Sequence, residues 1–212
     1  MSVFCLQRLT TFKILRSMPR TGHIWRHVII NTKNSWLHGD PRGFRSSNPD
    51  ITSTGDYKNP PPPGEHGGLY DYNASNSGDA IRLSKECRRI IGQVIVQCLL
   101  NMGYRCLCAA VDEIHAHILA ELPVNRDEVK VVIGDVKRRA SRAVKSILPG
   151  SVWSAGGEFK PIRDQSHQSN VFGYILYDQG DDAWTWSFQD AAFEGMFARP
   201  VPEERKRRRR NR

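Results

Sequence analysis

The sequence lacks any run of about 18 consecutive apolar residues, which is the length that a membrane-spanning helix needs. It also lacks a Cys-x-x-Cys pair, and its five cysteines are an odd number spread between positions 5 and 108. This spacing does not fit a structural zinc site, whose ligands are closely spaced, and it favours buried, reduced thiols in a cytoplasmic protein. No internal repeat is visible, which argues against a repeat architecture.

Acidic residues are absent from both ends of the chain, and this explains its net charge of +9. Residues 1–27 contain five Lys or Arg and no acid, and residues 205–212 contain seven Lys or Arg and no acid. The body between them, residues 28–204, carries 19 basic and 22 acidic residues. The basic composition therefore does not by itself predict a nucleic-acid surface on the fold. The C-terminal run either binds phosphates non-specifically or is a solvated tail.

The first 20 residues are basic and free of acid, which superficially fits an organellar transit peptide. A disordered tail, or a true start at Met18, is favoured over targeting. We therefore expect a disordered extension at 1–22, a single domain at 23–190 with a Gly/Pro-rich insertion at 33–80, and a basic tail at 191–212.

Hydrophobic periodicity predicts alternating strands and helices within this domain. Ser84 is the expected cap of the clearest helix. The predicted elements are a strand at 23–32, a helix at 83–103, a strand hairpin at 104–111 and 114–122, a helix at 126–147, a strand or hairpin at 151–162, a helix at 164–179 and a short aromatic segment at 183–188. This order predicts an α+β, ferredoxin-like fold: a β-α-β-β-α-β core with an antiparallel sheet, helices on one face and one added helix.

The sharpest chemical feature is the pair His115 and His117 in a predicted strand. Residues two apart in a strand project from the same face, so both imidazoles lie together with Leu119 and Glu121, while the intervening residues face the helices. Two neutral imidazoles on one sheet face can bind one divalent cation. A coincidental or packed pair is the commoner explanation of His-x-His when nothing else accompanies it.

A tyrosine lies on the predicted helix at 164–179. Tyr174 and Asp178 are four residues apart and so share a helical face. Tyr177 is displaced from Tyr174 by about 60° and is the competing tyrosine. The alternative for either is a half-buried core residue with its hydroxyl at the rim.

Taken together, these features resemble the single-tyrosine HUH transposases, and in particular the REP-associated tyrosine transposases and related insertion-sequence transposase-like proteins. The resemblance is carried by HIWRHVIINTKNSWLHGD, by VDEIHAHILAELP and by PIRDQSHQSNVFGYILYDQGDDAWTW. It covers about residues 23–188, apart from the insertion.

The resemblance implies a metal-dependent endonuclease and strand transferase that cleaves single-stranded or hairpin DNA through a 5′-phosphotyrosine intermediate. His115 and His117 match the histidines that bind Mg²⁺ or Mn²⁺, and Tyr174 matches the nucleophile. Family members often carry a Gln four residues after the Tyr as a further metal ligand. Asp178 occupies that position here, followed by Gln179, and is the expected third ligand; Glu113 and Glu121 are weaker candidates. A cytoplasmic homodimer with no membrane partner is also expected.

Basic side chains near these motifs are the predicted contacts to DNA phosphates, although each could instead be an ordinary surface residue. They are Arg42 and Arg45 in a turn of the insertion, Arg138 and Arg142 on the helix at 126–147, and Arg163 before the tyrosine helix.

Two other functions remain open from the sequence. One is a nucleic-acid-binding protein that keeps the fold without catalysis, which the Asp at position 178 and the cationic ends favour. The other is a hydrolase that uses His115, His117 and Asp178 around a metal-bound water on a substrate other than nucleic acid.

Overall fold

The computed structural model describes residues 18–47, 50–54 and 59–190. In chain order the strands are β1 (His23–Asn31), β2 (Arg45–Ser47), β3 (Asp50–Thr52), β4 (Cys106–Val111), β5 (His115–Pro123), β6 (Glu158–Pro161) and β7 (Trp184–Ser187). The helices are α1 (Gly67–Asn76), α2 (Lys85–Asn101), α3 (Arg126–Ala143) and α4 (Gln165–Tyr177).

The main sheet has the strand order β6-β1-β5-β4-β7, and each neighbouring pair is antiparallel. β1, α2, β4, β5, α3 and β6 follow one another as β-α-β-β-α-β, which confirms the predicted α+β, ferredoxin-like fold. The aromatic segment predicted at 183–188 forms β7, which pairs with β4 and extends the sheet by one strand.

One face of the sheet is covered by α2 and α3 and forms the main core. The side chain of Ser84 caps α2 as predicted, by accepting a hydrogen bond from the backbone N–H of Cys87. Alternate residues of β5, among them Ala116 and Ile118, point into this core, as the alternation of the sequence predicted. The fully buried side chains of this core are mostly aliphatic, with Trp153, Phe159 and Trp186 at its border; they include Val28, Ile30, Ile91, Ile95, Leu99, Ile118, Leu122, Ile133 and Val136.

The opposite face is covered in part by α4, the added helix. Asp164 caps this helix by accepting a hydrogen bond from the backbone N–H of His167. Val171 and Ile175 of α4 pack on the sheet in a second, smaller apolar cluster that includes Trp25 and Leu119. The rest of this face carries polar side chains, which are described below.

The predicted insertion at 33–80 contains more regular structure than its composition indicates. It holds the β2–β3 hairpin and α1, a helix without buried residues. Because α1 has no apolar face, hydrophobic periodicity could not predict it. The two ends of the insertion meet, since the backbone N–H of Ile81 bonds to the carbonyl of Lys33.

Several predicted boundaries change. The strand or hairpin predicted at 151–162 is reduced to β6, and Trp153 makes only an isolated bridge to Thr32. The helix predicted at 126–147 ends at Ala143, and the one predicted at 164–179 ends at Tyr177. Residues 18–22, assigned from the sequence to a disordered extension, include Arg20, which bonds to Glu121 of β5. The domain therefore begins before His23.

The cysteines that the structure describes, Cys87, Cys98, Cys106 and Cys108, are all buried and free, as predicted. Cys5 and the basic run at 205–212 lie outside the described residues. Within the described ranges, no helix combines the length and the hydropathy needed to cross a bilayer.

Candidate active site

The register between β1 and β5 gathers histidines on the sheet face that α4 partly covers. Ile29 of β1 pairs with His117 of β5, and His27 pairs with Leu119. Directly paired residues of antiparallel strands project from the same face, so His27 is the diagonal neighbour of His117. A histidine from a second strand thus joins the predicted pair.

The three imidazoles are in close contact. The ring centroids of His115 and His117 are 4.7 Å apart and their planes are nearly perpendicular. The centroids of His27 and His117 are 5.1 Å apart, and Nε2 of His27 lies 2.9 Å from Nδ1 of His117, which is a hydrogen bond. His27 and His117 are buried, whereas His115 is partly exposed.

Burial keeps the two inner histidines neutral. Desolvation, followed by the neighbouring positive or potentially positive groups His115, His27 and Lys160, lowers the pKa of His117 to about 2. Desolvation is also the main cause that lowers the pKa of His27 to about 4. Neutral imidazole is the form whose ring nitrogen can bind a cation, so the burial of these rings suits a metal site at neutral pH.

Tyr174 lies in the last turn of α4, over the histidines. Its ring centroid is 5.3 Å from that of His117 and 6.1 Å from that of His27, with both contacts edge-to-face. Its side chain is 39% exposed, so the ring packs on the imidazoles while solvent still reaches the residue. The competing Tyr177 is 78% exposed. The structure therefore brings Tyr174 of the same chain together with both predicted histidines.

The predicted third ligand, Asp178, is not the residue that meets the histidines. Asp178 is the C-cap of α4, and its backbone N–H bonds to the carbonyl of Tyr174, but in the described ranges its carboxylate forms no metal-holding group with the histidines. Instead, Oε1 of Gln179 lies 3.4 Å from Nε2 of His115. The same amide donates a hydrogen bond of 3.0 Å from Nε2 to the carbonyl oxygen of Tyr174.

The donor set tests whether a divalent cation suits this site. In the described ranges, no three side chains of His, Cys, Asp or Glu form a group that could hold a metal. The imidazoles of His115 and His117 and the amide oxygen of Gln179 lie together here. Imidazole nitrogen and carbonyl oxygen are both donors that bind divalent cations, so the chemistry of these three side chains is compatible with such a cation.

Glu121 lies on the same face of β5 but is engaged elsewhere. It is fully buried and accepts hydrogen bonds from Arg20 Nε at 2.8 Å and from Arg105 Nε at 2.7 Å. Burial alone would raise the pKa of Glu121, but the bonds and charges of Arg105 and Arg20 lower it to about 2. This ion cluster fastens the start of the domain to the sheet.

The arginines predicted to contact DNA are spread over the molecule. Arg42 stacks on the indole of Trp36, with its guanidinium carbon 4.1 Å from the ring centroid, and donates to Asp40 Oδ1 at 2.7 Å. The guanidinium of Arg42 is therefore engaged by residues of its own turn. Arg45 lies in β2, and its side chain is outside the described part of the structure.

The remaining arginines do not adjoin the histidines. Arg138 and Arg142 lie on α3, which covers the opposite face of the sheet, and Arg138 is ion-paired with Asp135. Arg163 is exposed just before α4, whose first residue lies about 13.5 Å along the helix from Tyr174 at 1.5 Å per residue.

Sequence reasoning gave His27 no role and placed Gln179 outside the ligand set. A signal for His27 was present, because the predicted fold makes β1 the neighbour of β5 and an alternating strand pattern puts Trp25 and His27 on one face. Lys160 was also missed: it pairs with His27 in the β1–β6 register, and its exposed ammonium bonds to Glu158 at the edge of the site.

Neither family models nor curated proteins match this chain. Among solved structures, it is similar to one described as a REP-associated tyrosine transposase bound to a REP hairpin. The similarity covers 77% of this chain and 70% of that one, with 12% sequence identity and a TM-score of 0.41. Since this TM-score is below 0.5, the functional argument rests on the geometry of the site.

Proposed function

We propose that this protein is a transposase-like endonuclease that cleaves single-stranded or hairpin DNA with Tyr174 as the nucleophile. The observation that carries the proposal is the placement of Tyr174, whose ring packs on His117 at a centroid distance of 5.3 Å with His115 beside it. These rings lie on two elements of one chain, β5 and α4, which supports a tyrosine that acts on the cation site of its own chain.

His115, His117 and Gln179 would hold the divalent cation, Mg²⁺ or Mn²⁺. A cation bound there would polarise the scissile phosphate and offset the negative charge that develops on it. Two features of the chain support binding of the cation. Burial keeps His117 neutral, and the amide of Gln179 is oriented by its hydrogen bond to the backbone of Tyr174.

Tyr174 would carry out the covalent step. Its partly exposed side chain leaves the phenol accessible to a DNA strand. The phenolic oxygen loses its proton to solvent and forms a bond to phosphorus, while the bond from phosphorus to the 3′ oxygen breaks and that oxygen takes up a proton. The downstream strand stays joined to Tyr174 through its 5′ phosphate, and reversal of the step with another 3′ hydroxyl rejoins the strand.

The test uses the full chain with a hairpin-containing single-stranded oligonucleotide, labelled at its 3′ end, and Mn²⁺. We expect a labelled covalent adduct in a denaturing gel, its loss in Tyr174→Phe and its retention in Tyr177→Phe. The second variant is a matched control on the same helical turn. An adduct that persists in Tyr174→Phe would contradict the assignment of the nucleophile.

A DNA-binding protein without cleavage activity is the second candidate, favoured by the absence of a third His, Cys, Asp or Glu ligand in the described part of the site. It predicts hairpin binding by electrophoretic mobility shift without an adduct in either Mg²⁺ or Mn²⁺. Cleavage that survives Tyr174→Phe without an adduct would instead indicate hydrolysis that does not use the tyrosine.

A further inference from the structure

We infer that His27 is a positioning residue: it accepts a hydrogen bond from Nδ1–H of His117 and thereby leaves Nε2 of His117 free to bind a divalent cation. This inference rests on the proposed function, because it concerns how this chain prepares one of the two histidines of that site.

The contact between the two rings allows one proton only. Nε2 of His27 and Nδ1 of His117 are 2.9 Å apart, which is a hydrogen bond, and both residues are more than nine-tenths buried. A neutral imidazole has one donor nitrogen and one acceptor nitrogen. The proton between the rings therefore belongs either to His117 or to His27.

Only one of these two states is compatible with metal binding. If His27 donates, the proton of neutral His117 lies on its Nε2, and no lone pair of that ring remains for a cation. If His27 accepts, Nε2 of His117 carries a lone pair. Histidines that ligate metals almost always donate their other ring N–H to an acceptor, most often a carboxylate, a backbone carbonyl or water, which fixes the tautomer and ring orientation. We infer that the imidazole of His27 is this acceptor here.

The fold holds His27 in place for this role. β1 is hydrogen-bonded on both sides, to β5 and to β6, so the backbone that carries His27 is fixed within the sheet. His27 packs on His117 with a centroid distance of 5.1 Å and on the ring of Tyr174 at 6.1 Å. A ring confined in this way can orient His117 without itself reaching the cation.

The first experiment reads the tautomer directly in the metal-free, wild-type full chain. Two-bond ¹H–¹⁵N correlations of ¹⁵N-histidine distinguish a protonated Nδ1 from a protonated Nε2. We expect His117 to carry its proton on Nδ1. A proton on Nε2 of His117 would overturn the inference, and this measurement needs no variant.

The second experiment measures Mn²⁺ affinity by calorimetry in His27→Phe and His27→Gln. We expect His27→Phe to bind Mn²⁺ about 10- to 100-fold more weakly, the usual cost of losing a partner that orients a ligand. The amide oxygen of His27→Gln can accept the same bond and should restore most of the affinity. His23→Phe is the matched control, because His23 lies four residues before His27 on the same face of β1. This variant should bind Mn²⁺ as the wild type does.

The outcomes separate the inference from the proposed function. Equal Mn²⁺ affinity of wild type and a folded His27→Phe would overturn the inference and leave the proposed function standing. Absence of Mn²⁺ binding and of a DNA adduct in the wild type would overturn both. Thermal unfolding of each variant checks that the fold is intact, and if His27→Phe does not fold, the tautomer in the wild type decides.

Discussion

The two faces of the sheet are built from the same strands and have opposite character. On the face under α2 and α3, β5 contributes Ala116 and Ile118 to an aliphatic core. On the face under α4, the alternate residues of the same strand are His115, His117 and Glu121. A shift of one residue in the β5 register would exchange the two sets, so the apolar core also fixes where the polar groups lie.

The difference shows how this fold separates stability from chemistry. The aliphatic face depends on buried area and close packing, which are not directional. On the other face, buried polar groups depend on specific partners: His117 bonds to His27, and Glu121 bonds to Arg20 and Arg105. Changes on the first face should alter the free energy of unfolding, and changes at the histidines should alter activity with little effect on folding.

The largest expected effect is a loss of cleavage activity without a loss of stability. His115→Ala removes a partly exposed side chain at the start of β5 and one ligand of the proposed cation. Adduct formation should fall about 1,000-fold or more, since a bound cation supplies several kcal/mol of transition-state stabilisation. The midpoint of thermal unfolding should change little. A variant that forms adduct at the wild-type rate would show that His115 has no role in cleavage.

The next largest effect is a loss of stability without a loss of cleavage activity. Ile118 lies on the opposite face of the same strand from the histidines. Ile118→Ala leaves a cavity in the fully buried core. The free energy of unfolding should fall by about 2–5 kcal/mol, measured by denaturant titration. Below its unfolding transition this variant should still form the adduct, and a selective loss of cleavage in the folded variant would contradict the separation of the two faces.

Acid should destabilise the polar face through Glu121. Because the pKa of Glu121 is lowered to about 2 in the folded chain, its contribution is complete above pH 4.5 and is lost as the pH falls from 4.5 towards 2. The loss should be on the order of 3 kcal/mol. Glu121→Gln should be less stable at pH 7 and should lack this part of the acid dependence. An unchanged pH profile in that variant would contradict the prediction.

The smallest effect compares two glycines on the helices of the apolar face. A Cβ at Gly92 of α2 would lie 1.9 Å from the ring of Trp184, so Gly92→Ala must displace the aromatic strand β7 and should cost about 1–3 kcal/mol. A Cβ at Gly134 of α3 meets no atom within 4 Å, so Gly134→Ala should stabilise by about 0.5–1 kcal/mol. Thermal or denaturant unfolding measures the change in the free energy of unfolding for each variant. Changes of the same sign in the two variants would contradict this explanation from packing.

The sequence was sufficient for the core fold because its signals are periodic. Alternation along β5 predicted which residues share a face, and the spacing of apolar residues predicted α2 and α3. It failed where periodicity is absent or stops. α1 has no apolar stripe, and Gln179, which meets His115, follows the C-cap of α4, where helical spacing no longer predicts the direction of a side chain. Predicting the contact between His27 and His117 would have required the exact strand register, which composition does not give.

The side chain of Gln179 lies beside His115 and donates a hydrogen bond to the backbone carbonyl of Tyr174, the proposed nucleophile. If a cation binds the amide oxygen of Gln179, it also restrains the end of α4 that carries Tyr174. Cation occupancy and the position of the phenol are then thermodynamically coupled, and the coupling is reciprocal. A DNA strand that holds Tyr174 in place should tighten the binding of the cation by the same factor by which the cation tightens the binding of that strand.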